Sequence, residues 1–162
     1  MQAHRQPGRE AIQHLPTVLR PGSEPLRQLA YGYGLRLVIL FGSRARGEAG
    51  VTSDFDLAVS MTDPYRRAYG ELTEGEAHTF QRLHSELQRM LATSRVDLVL
   101  LERAAPLVVH RVVRDGIPLF EATPGAFVRL CVRAVQMIED ARPMLQAQRR
   151  YLARVFGPGE PW

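Results

Sequence analysis

The chain has 162 residues and a formal net charge of +4, enough for one domain with a substantial core and a mild bias toward anionic ligands. All 21 basic residues are arginine, which excludes a P-loop, a kinase-type phosphate-binding lysine and Schiff-base chemistry. A single cysteine, Cys131, excludes a disulfide framework or a cysteine-based zinc site, and no apolar run approaches the roughly 18 residues that cross a bilayer.

Residues 1–22, with prolines at 7, 16 and 21, read as a loose N-terminal arm holding one short helix at most. Its polar start leads into no apolar signal segment, so a cytoplasmic location is expected. Ser23-Glu24-Pro25 is a helix start, Leu26, Leu29 and Ala30 give a short apolar face, and Gly32 to Gly34 stop it. Leu37 to Phe41 is an unbroken apolar run, the pattern of a strand buried on both faces, and it passes straight into Gly42-Ser43. Ser43 to Gly47 suits one helical turn, and Gly47 to Ser53 a flexible connection. Asp54, Phe55 and Asp56 then open a second strand through Leu57, Ala58 and Val59.

Residues 61–70 read as a loop with an Asp63-Pro64 turn. Thr73 and Glu76 form a capping box, and Phe80, Leu83, Leu87 and Met90 recur at helical spacing to about Ala92. Such a crossover lets the next strand, Arg95 to Leu101, join the same sheet. Pro106 to Val113 reads as a helix ended by Asp115-Gly116, and Ile117 to Glu121 as a short strand. Thr123-Pro124 opens a long helix whose Phe127, Leu130, Cys131, Ala134 and Ile138 share a face. Pro143 is expected to kink or divide it, with Tyr151, Leu152 and Phe156 as a second apolar patch and residues 157–162 as a mobile tail. The expected architecture is α/β (α+β): a small mixed sheet flanked by helices, over residues 23–156. No two of the five histidines stand at a metal-binding spacing.

The chemistry concentrates at three places. Side chains alternate along a strand, so Asp54 and Asp56 share one face while Phe55 and Leu57 point into the core. Two aligned carboxylates repel unless a cation lies between them, and a hard divalent ion such as Mg²⁺ resolves this. The turn at Gly42-Ser43 presents backbone N–H groups and a hydroxyl suited to phosphate. Asp97 is the one charge inside an otherwise apolar strand, either an edge acid paired with arginine or a third carboxylate of the set. Three acids beside a phosphate-cradling turn favour a two-metal in-line displacement on a nucleoside triphosphate, at either the α- or the γ-phosphorus.

Gly-Ser, ten residues, then Asp-x-Asp resembles the signature of the DNA polymerase β-like nucleotidyltransferase superfamily. The string from Phe41 to Ala49, Phe-Gly-Ser-Arg-Ala-Arg-Gly-Glu-Ala, is similar to its smallest branch, the minimal nucleotidyltransferase (MNT) proteins. The resemblance covers roughly Leu26 to Pro143. It implies attack at the α-phosphorus with ATP as donor and two Mg²⁺ ions held by Asp54, Asp56 and Asp97, the last also helping to accept the attacking hydroxyl's proton. It implies that Gly42, Ser43, Arg44 and Arg46 face the nucleotide. It also implies a partner: the short MNT proteins are antitoxins that attach AMP to a tyrosine of a HEPN toxin. An antitoxin acting by contact alone, and an adenylyltransferase for a small aminoglycoside-like compound, are the alternatives.

Overall fold

The computed structural model describes residues 11–61 and 73–156. The expected loop from 62 to 70 and the tail from 157 lie outside the described residues. Helix α1 (Glu24–Gly32) precedes strand β1 (Leu37–Phe41), which runs directly into the single turn of α2 (Gly42–Arg46). Strand β2 (Phe55–Ser60), helix α3 (Glu74–Leu91), strand β3 (Val96–Leu100), helix α4 (Pro106–Asp115), strand β4 (Ile117–Glu121) and helix α5 (Ala126–Phe156) follow.

The strands make one four-stranded mixed sheet in the order β3-β2-β1-β4. β1 lies antiparallel to both β2 and β4, whereas β2 and β3 are parallel and joined by the α3 crossover. β1 is buried along its whole length, as an unbroken apolar run in a central strand should be. Its Val38 and Leu40 belong to a core with Leu57, Val59, Leu26 and Leu29 of α1, and Leu83 and Leu87 of α3. Leu37, Ile39 and Phe41 point the other way, into a second core with Ala58, Val109 and Val112 of α4, and Ala126, Leu130 and Ala134 of α5. Alternation along β1 therefore divides the molecule into two helix-covered faces.

Several local expectations are met by different atoms. Helix α1 starts after Ser23, but the Ser23 hydroxyl donates to the carbonyl of Val18, 2.7 Å away, instead of capping the helix. Helix α3 has its full capping box, Thr73 accepting from the Glu76 N–H and Glu76 from the Thr73 N–H. Helix α5 begins at Ala126, where the Glu121 carboxylate accepts the Phe127 N–H at 2.7 Å. Pro143 does not divide α5, which continues to Phe156. Pro143 and Glu139, four residues before it, are both exposed, so water can satisfy the carbonyl that loses its helical partner. Ala11, Leu15 and Leu19 are buried in the first core, so this part of the N-terminal segment is packed, not loose.

Candidate active site

The end of β1 is where the sequence-predicted groups meet. Because β1 is antiparallel to β2 and β2 parallel to β3, the end of the first strand adjoins the beginnings of the other two. Phe41 pairs with Asp56, and Asp56 pairs with Asp97 across the parallel ladder. Register partners on neighbouring strands point to the same face, so these two carboxylates stand side by side on the face covered by α4 and α5. Asp54 lies one residue ahead of β2, exposed.

The electrostatics agree with that placement. Burial pushes the Asp56 carboxyl above its usual range, and the negative charges of Asp97 and Asp54 push the same way. Arg111 and Arg46 oppose the shift. Asp97 itself is exposed on an edge strand. The burial penalty that singled it out in the sequence is therefore absent, and its register opposite Asp56 is what marks it. Among the described acids the buried one is Glu102, which accepts from the Ser60 hydroxyl at 2.8 Å and the Met61 N–H at 2.9 Å, at the opposite end of β2.

Gly42 explains how closely the turn approaches the acids. Its φ is +71°, and a Cβ at this position would fall 2.0 Å from Oδ2 of Asp56. Only glycine fits this conformation and this contact without displacement. Ser43 follows it, half-buried, in the first turn of α2, and Gly47 closes that turn with φ +74°.

The two arginines of α2 are both engaged. Arg44 donates to the carbonyls of Asp54 (3.0 Å) and Ser53 (2.5 Å), and its guanidinium lies 3.9 Å over the Phe55 ring. It thereby fixes the backbone that carries Asp54. Arg46 donates to Glu48 at 2.8 Å and to Asp115 at 2.9 Å. Asp115 is also held by Arg114, and these partners keep its carboxyl well below the usual range, at about 2. The Arg46–Asp115 pair ties α2 to the end of α4. Arg111, which sequence reading passed over, comes to the site through the packing of α4; an arginine on a helix carries no local signal of what it will face.

Three hard oxygen donors on adjoining backbone segments are a donor set suited to a divalent cation. Among the described residues no three acidic, cysteine or histidine side chains already close on one point, as befits carboxylates that repel one another. The fit lies in the chemistry of the donors and in the raised Asp56, which a cation would relieve.

Known proteins share this layout. The family described as polymerase beta nucleotidyltransferase matches residues 25–124, from α1 to just past β4. The protein adenylyltransferase MntA of Aphanizomenon flos-aquae is 31% identical over 111 residues, 68% of this chain and 73% of the relative. A chain in a crystal structure of a toxin–antitoxin with AMP-PNP is 27% identical with a TM-score of 0.57, the match covering 80% of this chain and 93% of that one. A chain in the structure of a tri-AMPylated Shewanella oneidensis HEPN toxin in complex with its MNT antitoxin is 25% identical with a TM-score of 0.53, covering 80% and 90%. The matched segment contains the whole sheet, the Gly-Ser turn and all three acids, and the chain belongs to the polymerase beta nucleotidyltransferase family.

Proposed function

We propose that this chain is a protein adenylyltransferase that acts as an antitoxin, moving AMP from ATP onto a tyrosine hydroxyl of a HEPN toxin in the cytoplasm. The observation that carries the reading is the pairing of Asp56 with Asp97 beside the Gly42 turn. The MntA relative and the AMPylated toxin complex point to the same activity, and the AMP-PNP complex to ATP as the donor.

In this reading Asp54, Asp56 and Asp97 hold Mg²⁺, and Gly42 and Ser43 present their N–H groups and hydroxyl to the phosphates. Two ions bound there would supply Lewis-acid polarisation of the attacking and leaving oxygens. Asp97, exposed on the edge strand, takes up the proton of the tyrosine hydroxyl as its oxygen forms a bond to the α-phosphorus. The bond from that phosphorus to the bridging oxygen breaks, and pyrophosphate leaves. Arg44 and Arg46 border the nucleotide, Arg44 while bracing the backbone at Asp54 and Arg46 while tying α2 to α4. Residues 23–156 carry every group of this site.

The test combines the chain, Mg²⁺, a HEPN toxin from the same source and ATP labelled at the α- or the γ-phosphate. Label from the α-phosphate on the toxin is the expected result, abolished by Asp54→Ala or Asp56→Ala. Transfer of the γ-label would overturn the reaction. Full neutralisation of the toxin by folded Asp54→Ala would mean an antitoxin that works by contact alone, and label on a small hydroxyl compound instead of the toxin would mean a small-molecule enzyme.

A further inference from the structure

The donor's polyphosphate needs positive charge beyond that of the metal ions. Three carboxylates and a triphosphate carry more negative charge than two divalent ions neutralise, and the charge on the leaving pyrophosphate grows as the reaction proceeds. In a chain without lysine, arginine is the permanently charged side chain that can add to this compensation. Among the described residues around the mouth of the site, four arginines have N–H groups committed. Arg44 is bound to two carbonyls and a ring, Arg46 to Glu48 and Asp115, Arg95 to the Thr52 carbonyl at 2.8 Å, and Arg114 to Asp115.

Arg111 is different. It is exposed, and among the described residues it makes no hydrogen bond or ion pair. Its position is fixed by two features of α4. The helix leads into β4, whose first residue, Ile117, pairs with Leu40 of β1, so the end of α4 is held against the strand end that becomes Gly42. Asp115, at that end, is clasped by Arg46 of α2. Arg111 precedes Asp115 by four residues and so lies on the same side of the helix, one turn back. This puts Arg111 on the side of α4 that meets α2, above the sheet face that carries Asp56.

The sheet order gives the direction. Asp97 is on the outer strand β3, whereas α4 packs over β1 on the other side of Asp56. In an in-line displacement the attacking and leaving oxygens are on opposite sides of the phosphorus. With the acceptor hydroxyl at Asp97, the pyrophosphate departs toward β1 and α4. We propose that Arg111 binds the β- and γ-phosphates of the donor nucleotide and stabilises the departing pyrophosphate. This rests on the nucleotidyltransferase reading of the site and assigns it a substrate-binding residue outside the sequence motifs.

The experiment compares wild type, Arg111→Ala, Arg111→Lys and, as a control on the far side of the sheet, Arg82→Ala. Each is titrated with Mg²⁺ plus either an ATP analogue non-hydrolysable between the α- and β-phosphates or AMP, and AMP transfer to the toxin is timed. Loss of a charge-assisted contact should weaken the ATP analogue roughly 10- to 100-fold in Arg111→Ala and leave AMP within about twofold. Arg111→Lys should recover part of the loss and Arg82→Ala should match wild type. Equal losses for ATP analogue and AMP, or no loss for either while wild type transfers the α-label, would overturn the role of Arg111 alone. A wild-type chain that binds neither nucleotide would overturn the underlying reading as well. Because Arg111 is exposed, unchanged thermal unfolding of the variant is expected and verifies that the fold is intact.

Discussion

Gly42 and Asp56 show how one contact governs the site. Gly42→Ala must move either the left-handed turn or the carboxylate 2.0 Å from the new methyl. AMP transfer to the toxin is expected to fall on the order of 100-fold, the scale of an ångström-sized misplacement, with the protein still folded by circular dichroism. Asp56 also links function to stability. Its carboxyl titrates above the normal range, so the native state binds that proton more tightly than the unfolded chain, and the ionised form disfavours folding once pH rises through the window. Asp56→Asn should therefore unfold at a higher temperature than wild type at neutral pH while losing transfer, and the gain should vanish in acid where the wild-type carboxyl is protonated in both states. At this scale the sequence identified the acids from their spacing, but its reason for Asp97 was a buried charge, and the buried charge proved to be Glu102. Spacing along a chain reports which residues share a strand; which strand lies at an edge is settled by packing.

Elements fix where those residues stand. Helix α4 is seated by Gly116, where a Cβ would come 2.2 Å from the Val112 carbonyl oxygen and 2.8 Å from Ile39. Gly116→Ala should lift the helix from β1, costing about 1–3 kcal/mol in denaturant unfolding, and should weaken binding of the ATP analogue through displacement of Arg111. The Asp115 clasp between α2 and α4 has its own pH signature. Its carboxyl titrates well below the ordinary range, so its stabilisation is complete above the unfolded-state pKa and disappears as pH falls to about 2. Asp115→Asn should accordingly melt lower than wild type near neutrality, with the two curves converging near that acid limit. The strands and the principal helices were legible because periodicity and capping are local: β1 and β4 coincide with their predicted spans, and α3 is within a residue at each end. The cap of α5 was not, since Glu121 reaches it from the end of a strand and leaves no mark in the residues around Thr123.

For the molecule as a whole, both cores end before α5 does. Among the described residues no side chain beyond Ala134 is buried, although the helix runs to Phe156. Met144→Ala and Tyr151→Ala, at two exposed positions of this stretch, should therefore leave the unfolding midpoint within about two degrees of wild type. By contrast Leu87→Ala, fully buried in the first core, should cost about 2–5 kcal/mol. The mixed four-stranded architecture followed from the order of apolar runs, but the sequence left open which strand would be outermost. That choice has a spatial consequence. With β3 as the border of the sheet and Asp97 exposed along it, that acid stands at a ledge that can be approached from the side. A bulky, folded visitor can slide a single hydroxyl up to that ledge without unfolding or threading.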